Sequence, residues 1–143
     1  MKIALIITGV LIGIFIIYFV INILIYKKRM KNYSPEDESE RLINLNDSNF
    51  SQTIKDGVSL VDFWAAWCQP CRIIAPTINS LAEEIGDKVQ ICKLDIDKNK
   101  NAAQKLRVRS IPTLIIFKDG KEVQRIVGIK PKSFLKKSIE KYL

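Results

Sequence analysis

The chain carries 24 consecutive residues, Ile3 to Tyr26, with no charge and with apolar side chains almost throughout. As a helix this stretch would reach about 36 Å, slightly more than the hydrocarbon thickness of a bilayer, about 30 Å. Its one strongly polar side chain is Asn22, near an end. A cleaved secretory signal is the competing reading, but its apolar core is usually only about 7–15 residues. No small-x-small cleavage site follows here; Lys27, Lys28 and Arg29 come instead. The expectation is therefore one retained transmembrane helix. Gly9 and Gly13 make a GxxxG spacing of the kind that lets two helices approach closely, although glycine is also common lipid-facing filler. Lys27, Lys28, Arg29 and Lys31 follow the span, while only Lys2 and the terminal amine precede it. The positive-inside rule then puts the soluble part in the cytoplasm, with the basic cluster near anionic lipid heads.

Three regions follow from this contrast: an anchor over 1–26, a charged juxtamembrane linker over 27–41, and a domain over 42–143. About 100 residues suffice for one compact core. Residues 31–41, KNYSPEDESER, are polar and charged and read as a flexible tether. Residues 42–143 hold 17 Lys or Arg and 11 Asp or Glu, a surplus of +6. The basic residues are scattered, without an Arg-rich run or an aromatic ladder. That pattern argues for a solvated surface favouring acidic partners rather than for nucleic acid.

Within the domain, Ile43 to Leu45 reads as a short strand. Asn46 or Asp47 is placed to cap a short helix carrying Phe50 and Ile54. Val58 to Ala65, VSLVDFWA, is β-branched, aromatic and nearly continuous in its apolarity, as in a strand buried on both faces. Ile74, Ile78, Leu81 and Ile85 mark the apolar face of a following helix, stopped at Gly86 and interrupted by Pro76, which should kink it. Val89 to Ile96 is a second buried strand, and Asn99 to Leu106 a short amphipathic helix. Thr113 to Phe117 and Glu122 to Val127 flank Asp119-Gly120, a hairpin signal. Lys132 to Leu143 closes the chain as a helix. This order predicts an α/β sandwich with helices on both faces of a mixed sheet.

The strand over 58–65 runs into Trp67-Cys68-Gln69-Pro70-Cys71. A cysteine at a helix start meets unpaired backbone N–H groups and the positive end of the helix dipole. Its thiolate is stabilised there, so Cys68 is the candidate nucleophile toward a substrate disulfide. Cys71, one turn on and expected to be more buried, would attack the Cys68 sulfur and release the reduced substrate. Pro70 limits backbone freedom between the two sulfurs. A zinc site needs four ligands, and the chain has only Cys92 besides this pair and no histidine at all. A c-type haem needs His after the second cysteine, where Arg72 stands. Cys92, inside an apolar strand, reads as a packed core cysteine.

Asp62 lies among Leu60, Val61, Phe63 and Trp64, six residues before Cys68. A carboxylate there is costly unless it is paired or useful. Burial would raise its pKa and suit it to take the Cys71 proton during the second exchange. Lys93, on the neighbouring strand, is its expected partner. The alternative is a register that turns Asp62 to solvent. A cis Ile111–Pro112 peptide would leave backbone edge groups free to pair with an extended substrate, though a proline before a strand is usually only a boundary.

The run VDFWAAWCQPC resembles the active-site signature of thioredoxins. Lys93-Leu94-Asp95-Ile96-Asp97, Ile111-Pro112-Thr113, Phe117-Lys118-Asp119-Gly120 and Val127-Gly128 match later family landmarks in order and spacing, so that the resemblance covers about residues 42–143. It implies a thioredoxin fold, with a mixed five-stranded sheet between two layers of helices, four in all. It implies Cys68 as nucleophile, Cys71 as resolving thiol, Asp62 as buried base and Pro112 as the cis-proline. Trp67, Gln69, Pro70, Ile111, Pro112 and Gly128 would form the substrate-facing surface. Two features depart from the family pattern: Gln69, where a glycine is usual and where the intervening pair tunes redox potential, and the N-terminal anchor.

The leading expectation is a membrane-tethered protein-disulfide reductase that needs no bound cofactor or metal. Its partners would be disulfide-containing proteins and, on the cytoplasmic side, an electron donor such as thioredoxin reductase. An extracytoplasmic thiol oxidase, isomerase or cytochrome-maturation protein is the alternative with the same chemistry. A non-catalytic binding subunit is the alternative from another class, and intact Cys68, Cys71 and Asp62 argue against it.

Overall fold

The computed structural model describes the backbone of residues 2–31 and 38–143, and the side chains of residues 7–25 and 38–143. The chain divides into two compact units, one within Met1–Pro35 and one within Glu36–Leu143.

The first unit is a helix, α1 (Lys2–Lys31), whose segment Ile7–Ile25 is long and apolar enough to cross a membrane. Its apolar side chains are exposed along the whole described length. The Asn22 side-chain amide donates to the Tyr18 carbonyl oxygen at 2.8 Å, one turn back. Thus the one strongly polar group of the stretch is satisfied within its own helix, as an apolar medium requires.

The second unit contains β1 (Leu42–Leu45), α2 (Phe50–Thr53), β2 (Val58–Trp64), α3 (Gln69–Ile85) and β3 (Gln90–Asp95). It continues with α4 (Lys100–Lys105), β4 (Thr113–Lys118), β5 (Lys121–Val127) and α5 (Lys132–Glu140). The five strands lie in the order β1-β3-β2-β4-β5. β1, β3 and β2 are parallel, and β4 and β5 are antiparallel to their neighbours. Alternation along each strand sorts side chains onto two faces. Val58 and Leu60 of β2 join Ile91, Leu114 and Ile116 beneath Ile74, Ile78 and Leu81 of α3 and Leu135 and Ile139 of α5. Val61 and Phe63 join Cys92, Leu94, Ile115 and Phe117 beneath Phe50 and Ala102 of α2 and α4. The fold is therefore the expected α/β/α sandwich with four helices around a mixed sheet.

Several local expectations change in detail. The β4–β5 turn places both Asp119 (φ 49°) and Gly120 (φ 77°) in the left-handed region, the two-residue geometry that Asp-Gly favours. Asp47 does not cap α2. Its carboxylate reaches the start of α4 instead, accepting from Ala102 N–H at 2.8 Å and from Asn101 N–H at 3.3 Å. α3 continues through Pro76 to Gly86, which stays right-handed (φ −59°). A Cβ at Gly86 would collide with the Ala82 carbonyl oxygen, so space rather than handedness calls for glycine there.

Of the linker expected over 27–41, only the two ends are described. Residues 27–31 continue α1. The Ser39 N–H donates to the Asn79 side-chain oxygen at 3.1 Å, and Arg41 pairs with Asp87 at 2.6 Å. Residues 32–37 of that linker lie outside the described residues.

Candidate active site

β2 ends at Trp64, in the middle of the sheet, and hands the chain to α3 through four residues. Cys68 N–H donates to Ala65 O at 3.1 Å and closes the turn. Cys68 is then the N-cap of α3, extended at φ −80° and ψ 101°, with Pro70 in the first turn, where its missing N–H leaves no bond unmade. Cys68 and Cys71 form a disulfide, with Cα atoms 5.3 Å apart. The Cys71 N–H also donates to the Cys68 sulfur at 3.2 Å. A helix N-terminus and a backbone N–H thus both point at Cys68 Sγ, the atom on which negative charge would develop.

Burial barely separates the two cysteines in the disulfide form. Cys68 is 3% exposed and Cys71 2%. In the bridged form both pack against Ala65, Trp64, Ile96 and Ile111. Position in the helix, and not depth, is what distinguishes them.

The loop facing the pair contains a cis Ile111–Pro112 peptide. Pro112 O accepts from Gly128 N–H at 2.9 Å, which ties the end of β5 to this loop. Trp67 is 69% exposed, and Gln69 and Pro70 are exposed beside it. Trp67, Ile96, Val108, Arg109, Ser110 and Ile111 border a shallow groove of about 270 Å³ next to the cysteines. The Trp67 indole N–H donates to Asp97 at 2.8 Å. Sequence reasoning assigned no role to Asp97, and no local signal links two side chains 30 residues apart.

Asp62 sits on the α3-facing side of β2, since it alternates with Val58 and Leu60. It is 5% exposed, which excludes the register that would turn it to solvent. Its Oδ1 has no hydrogen-bond partner. Burial pushes its pKa up to about 7, against a smaller opposing pull from Lys93. Lys93 is its register neighbour on β3, but the expected direct pair is not formed. The Lys93 ammonium is ion-paired with Glu38 and lies 4.1 Å from the centre of the Trp64 ring. Lys93 therefore acts on Asp62 as a nearby charge only. Cys92 is fully buried on the other face, and burial pushes its thiol up to about 12, as for an inert core cysteine.

The family model for thioredoxin matches residues 41–141. The chain belongs to the thioredoxin family. The thioredoxin of Staphylococcus saprophyticus is 51% identical over 102 residues, which cover 71% of this chain and 98% of that protein. The thioredoxin of Staphylococcus aureus is 46% identical over the same length. Among solved structures, a mutant thioredoxin from Halobacterium salinarum superposes with a TM-score of 0.66 at 34% identity, covering 73% of this chain and 93% of that one. The protein is accordingly a thiol–disulfide oxidoreductase of the thioredoxin type, with Cys68 and Cys71 as its disulfide-capable pair. The apolar helix and Glu38 both precede the matched thioredoxin domain.

Proposed function

We propose that this chain is a membrane-anchored protein-disulfide reductase whose thioredoxin domain, over residues 42–143, serves thiol homeostasis on the cytoplasmic side. The observation that carries the reading is the Cys68 sulfur at the N-terminus of α3, accepting the Cys71 N–H. In the reduced protein the Cys68 thiolate attacks one sulfur of a substrate disulfide, forming a mixed disulfide and expelling the other substrate sulfur as a thiolate. Asp62 takes the proton from Cys71. The Cys71 thiolate attacks Cys68 Sγ, the substrate leaves with its second thiolate, and the Cys68–Cys71 disulfide remains. Two electrons have passed to the substrate and are restored by an external dithiol donor, a thioredoxin reductase on the cytoplasmic side.

Trp67, Gln69, Pro70, Ile111, Pro112 and Gly128 form the surface that receives the substrate chain. In this reading Lys93 modulates Asp62 through its charge. Residues 3–26 hold the protein in the membrane, and the positive charges at Lys27, Lys28, Arg29 and Lys31 favour the cytoplasmic side. Labelling with a membrane-impermeant thiol reagent in intact cells, after reduction, tests the compartment. Cys68 is expected to stay unlabelled until the cells are lysed, and labelling before lysis overturns the cytoplasmic placement. Failure of the full chain to reduce an insulin-type disulfide with an added dithiol donor overturns the reductase reading.

A further inference from the structure

The ammonium of Lys93 has three donors and is the one cation that β3 presents on the face of Asp62. It nevertheless gives no hydrogen bond to the Asp62 carboxyl, whose Oδ1 is left without a partner. Two groups hold it elsewhere: the Glu38 carboxylate, in a pair whose side chains are 10% and 21% exposed, and the Trp64 ring. A partly buried pair of this kind resists solvent screening far better than a surface one. Glu38 is itself anchored. Its neighbour Ser39 bonds to Asn79 and Glu83 of α3, and Arg41 pairs with Asp87. Glu38 lies three residues before the start of the thioredoxin match at residue 41, so the acidic member of the clasp precedes the matched domain, while Lys93 and Trp64 lie within it.

We propose that Glu38 is a positioning residue for Asp62: by holding the Lys93 ammonium against Trp64, it withholds that cation from the buried carboxyl and keeps Asp62 a proton acceptor suited to neutral pH. The catalytic meaning of this clasp rests on the reading of Asp62 as the base for Cys71. Other charges near Asp62 are few among the described residues. From β3 there are Lys93 and the partly exposed Asp95, which pairs with Lys98 at 3.6 Å. β4 places Leu114 opposite Asp62. The buried face of α3 offers Cys71, Ile74 and Ile78; its charged residues Arg72, Glu83 and Glu84 are exposed, and the two glutamates are paired. Glu38 is the group that sets where the Lys93 charge sits.

Removing the Glu38 charge frees Lys93 to turn toward Asp62 and favours the carboxylate. A weaker base then faces Cys71, and release of substrate from the mixed disulfide slows once Asp62 is ionised in both proteins.

The test is a carbon-13 titration of the Asp62 carboxyl in full-length protein in detergent micelles, with the resonance identified by its loss in Asp62→Asn. Glu38→Gln is expected to lower the midpoint by about one unit, the shift typical of a newly available opposite charge. In a Lys93→Gln background the same change is expected to shift it by less than about 0.3 unit, since the cation is gone. An unmoved midpoint in Glu38→Gln overturns the proposal. So does an equal shift in the Lys93→Gln background, which would show Glu38 acting directly through space. The companion measurement is the rate at which a preformed mixed disulfide on Cys68 is resolved. It is expected to fall severalfold in Glu38→Gln on the high-pH plateau, where Asp62 is ionised in both proteins, with its pH profile displaced to lower pH. If Asp62→Asn resolves the mixed disulfide at the wild-type rate, the base assignment fails, and that failure is separate from anything the titration reports about the clasp.

Discussion

The Cys71 N–H donates to the Sγ of Cys68 across 3.2 Å, so the residue that would resolve the mixed disulfide also helps stabilise charge on the residue that forms it. The roles proposed for the two cysteines therefore differ although the residues are nearly equal in exposure. Cys68→Ser is expected to abolish reduction of an insulin-type disulfide, because no sulfur remains at the helix N-terminus. Cys71→Ser is expected to leave the first attack intact and to accumulate mixed disulfides, visible on non-reducing gels. Turnover by the Cys68 variant, or the absence of adducts with the Cys71 variant, contradicts the assignment.

Asp62 makes stability depend on pH. Its pKa is about 7 in the folded protein against an ordinary value of 3.8. Between those values the native state holds a proton that the unfolded chain has lost. The contribution of this group is thus fully present below about pH 4 and is lost as pH rises through about 7. At about 1.4 kcal/mol per unit, the loss is on the order of 4 kcal/mol. Urea unfolding of the full chain across this range is expected to show the decline in the wild type. The Asp62→Asn variant is expected to show a much flatter profile, and parallel profiles would exclude burial of an ionisable group as the cause.

Gly128 ends the β5 side of the site with φ 81°, and a Cβ there would meet nothing within 4 Å. Its substitution therefore carries backbone strain without a clash. Gly128→Ala is expected to cost about 1–2 kcal/mol of stability, from the left-handed conformation alone. A larger loss of disulfide reduction than of stability would further indicate that the Gly128 N–H bond to Pro112 O shapes the receiving surface. Denaturation midpoints and reduction rates of the same preparation check both.

Asn22 donates to the Tyr18 carbonyl within its own helix, which lowers the cost of placing Ile7–Ile25 in lipid. The protein isolated from membranes is expected to retain its N-terminal residues and to resist extraction by high salt and alkaline carbonate. Intact mass measurement decides this, since a product beginning after residue 26 would mean that the helix is a removed signal.

What was legible in the sequence is what short-range physics controls. The nearly continuous apolarity of Val58 to Phe63, broken by Ser59 and Asp62, suits a strand covered on both faces, and β2 is that strand. Asp119-Gly120 could take two left-handed residues in succession, and the hairpin turns there. The two-residue spacing of Cys68 and Cys71 places their sulfurs in bonding reach once a helix starts between them. Each of these outcomes depends on residues within one or two turns of each other.

Only the tertiary structure decided where the long polar side chains go. Lys93 was expected on Asp62 and is held by Glu38 and Trp64 instead. Of the two residues expected to cap α2, Asn46 accepts from the Ser48 and Asn49 N–H groups there while Asp47 caps α4, and Asp97 holds the indole of Trp67. Each such side chain has several partners of similar energy within reach. The choice among them is made by the positions that packing gives to residues far apart in the chain, which no local pattern encodes.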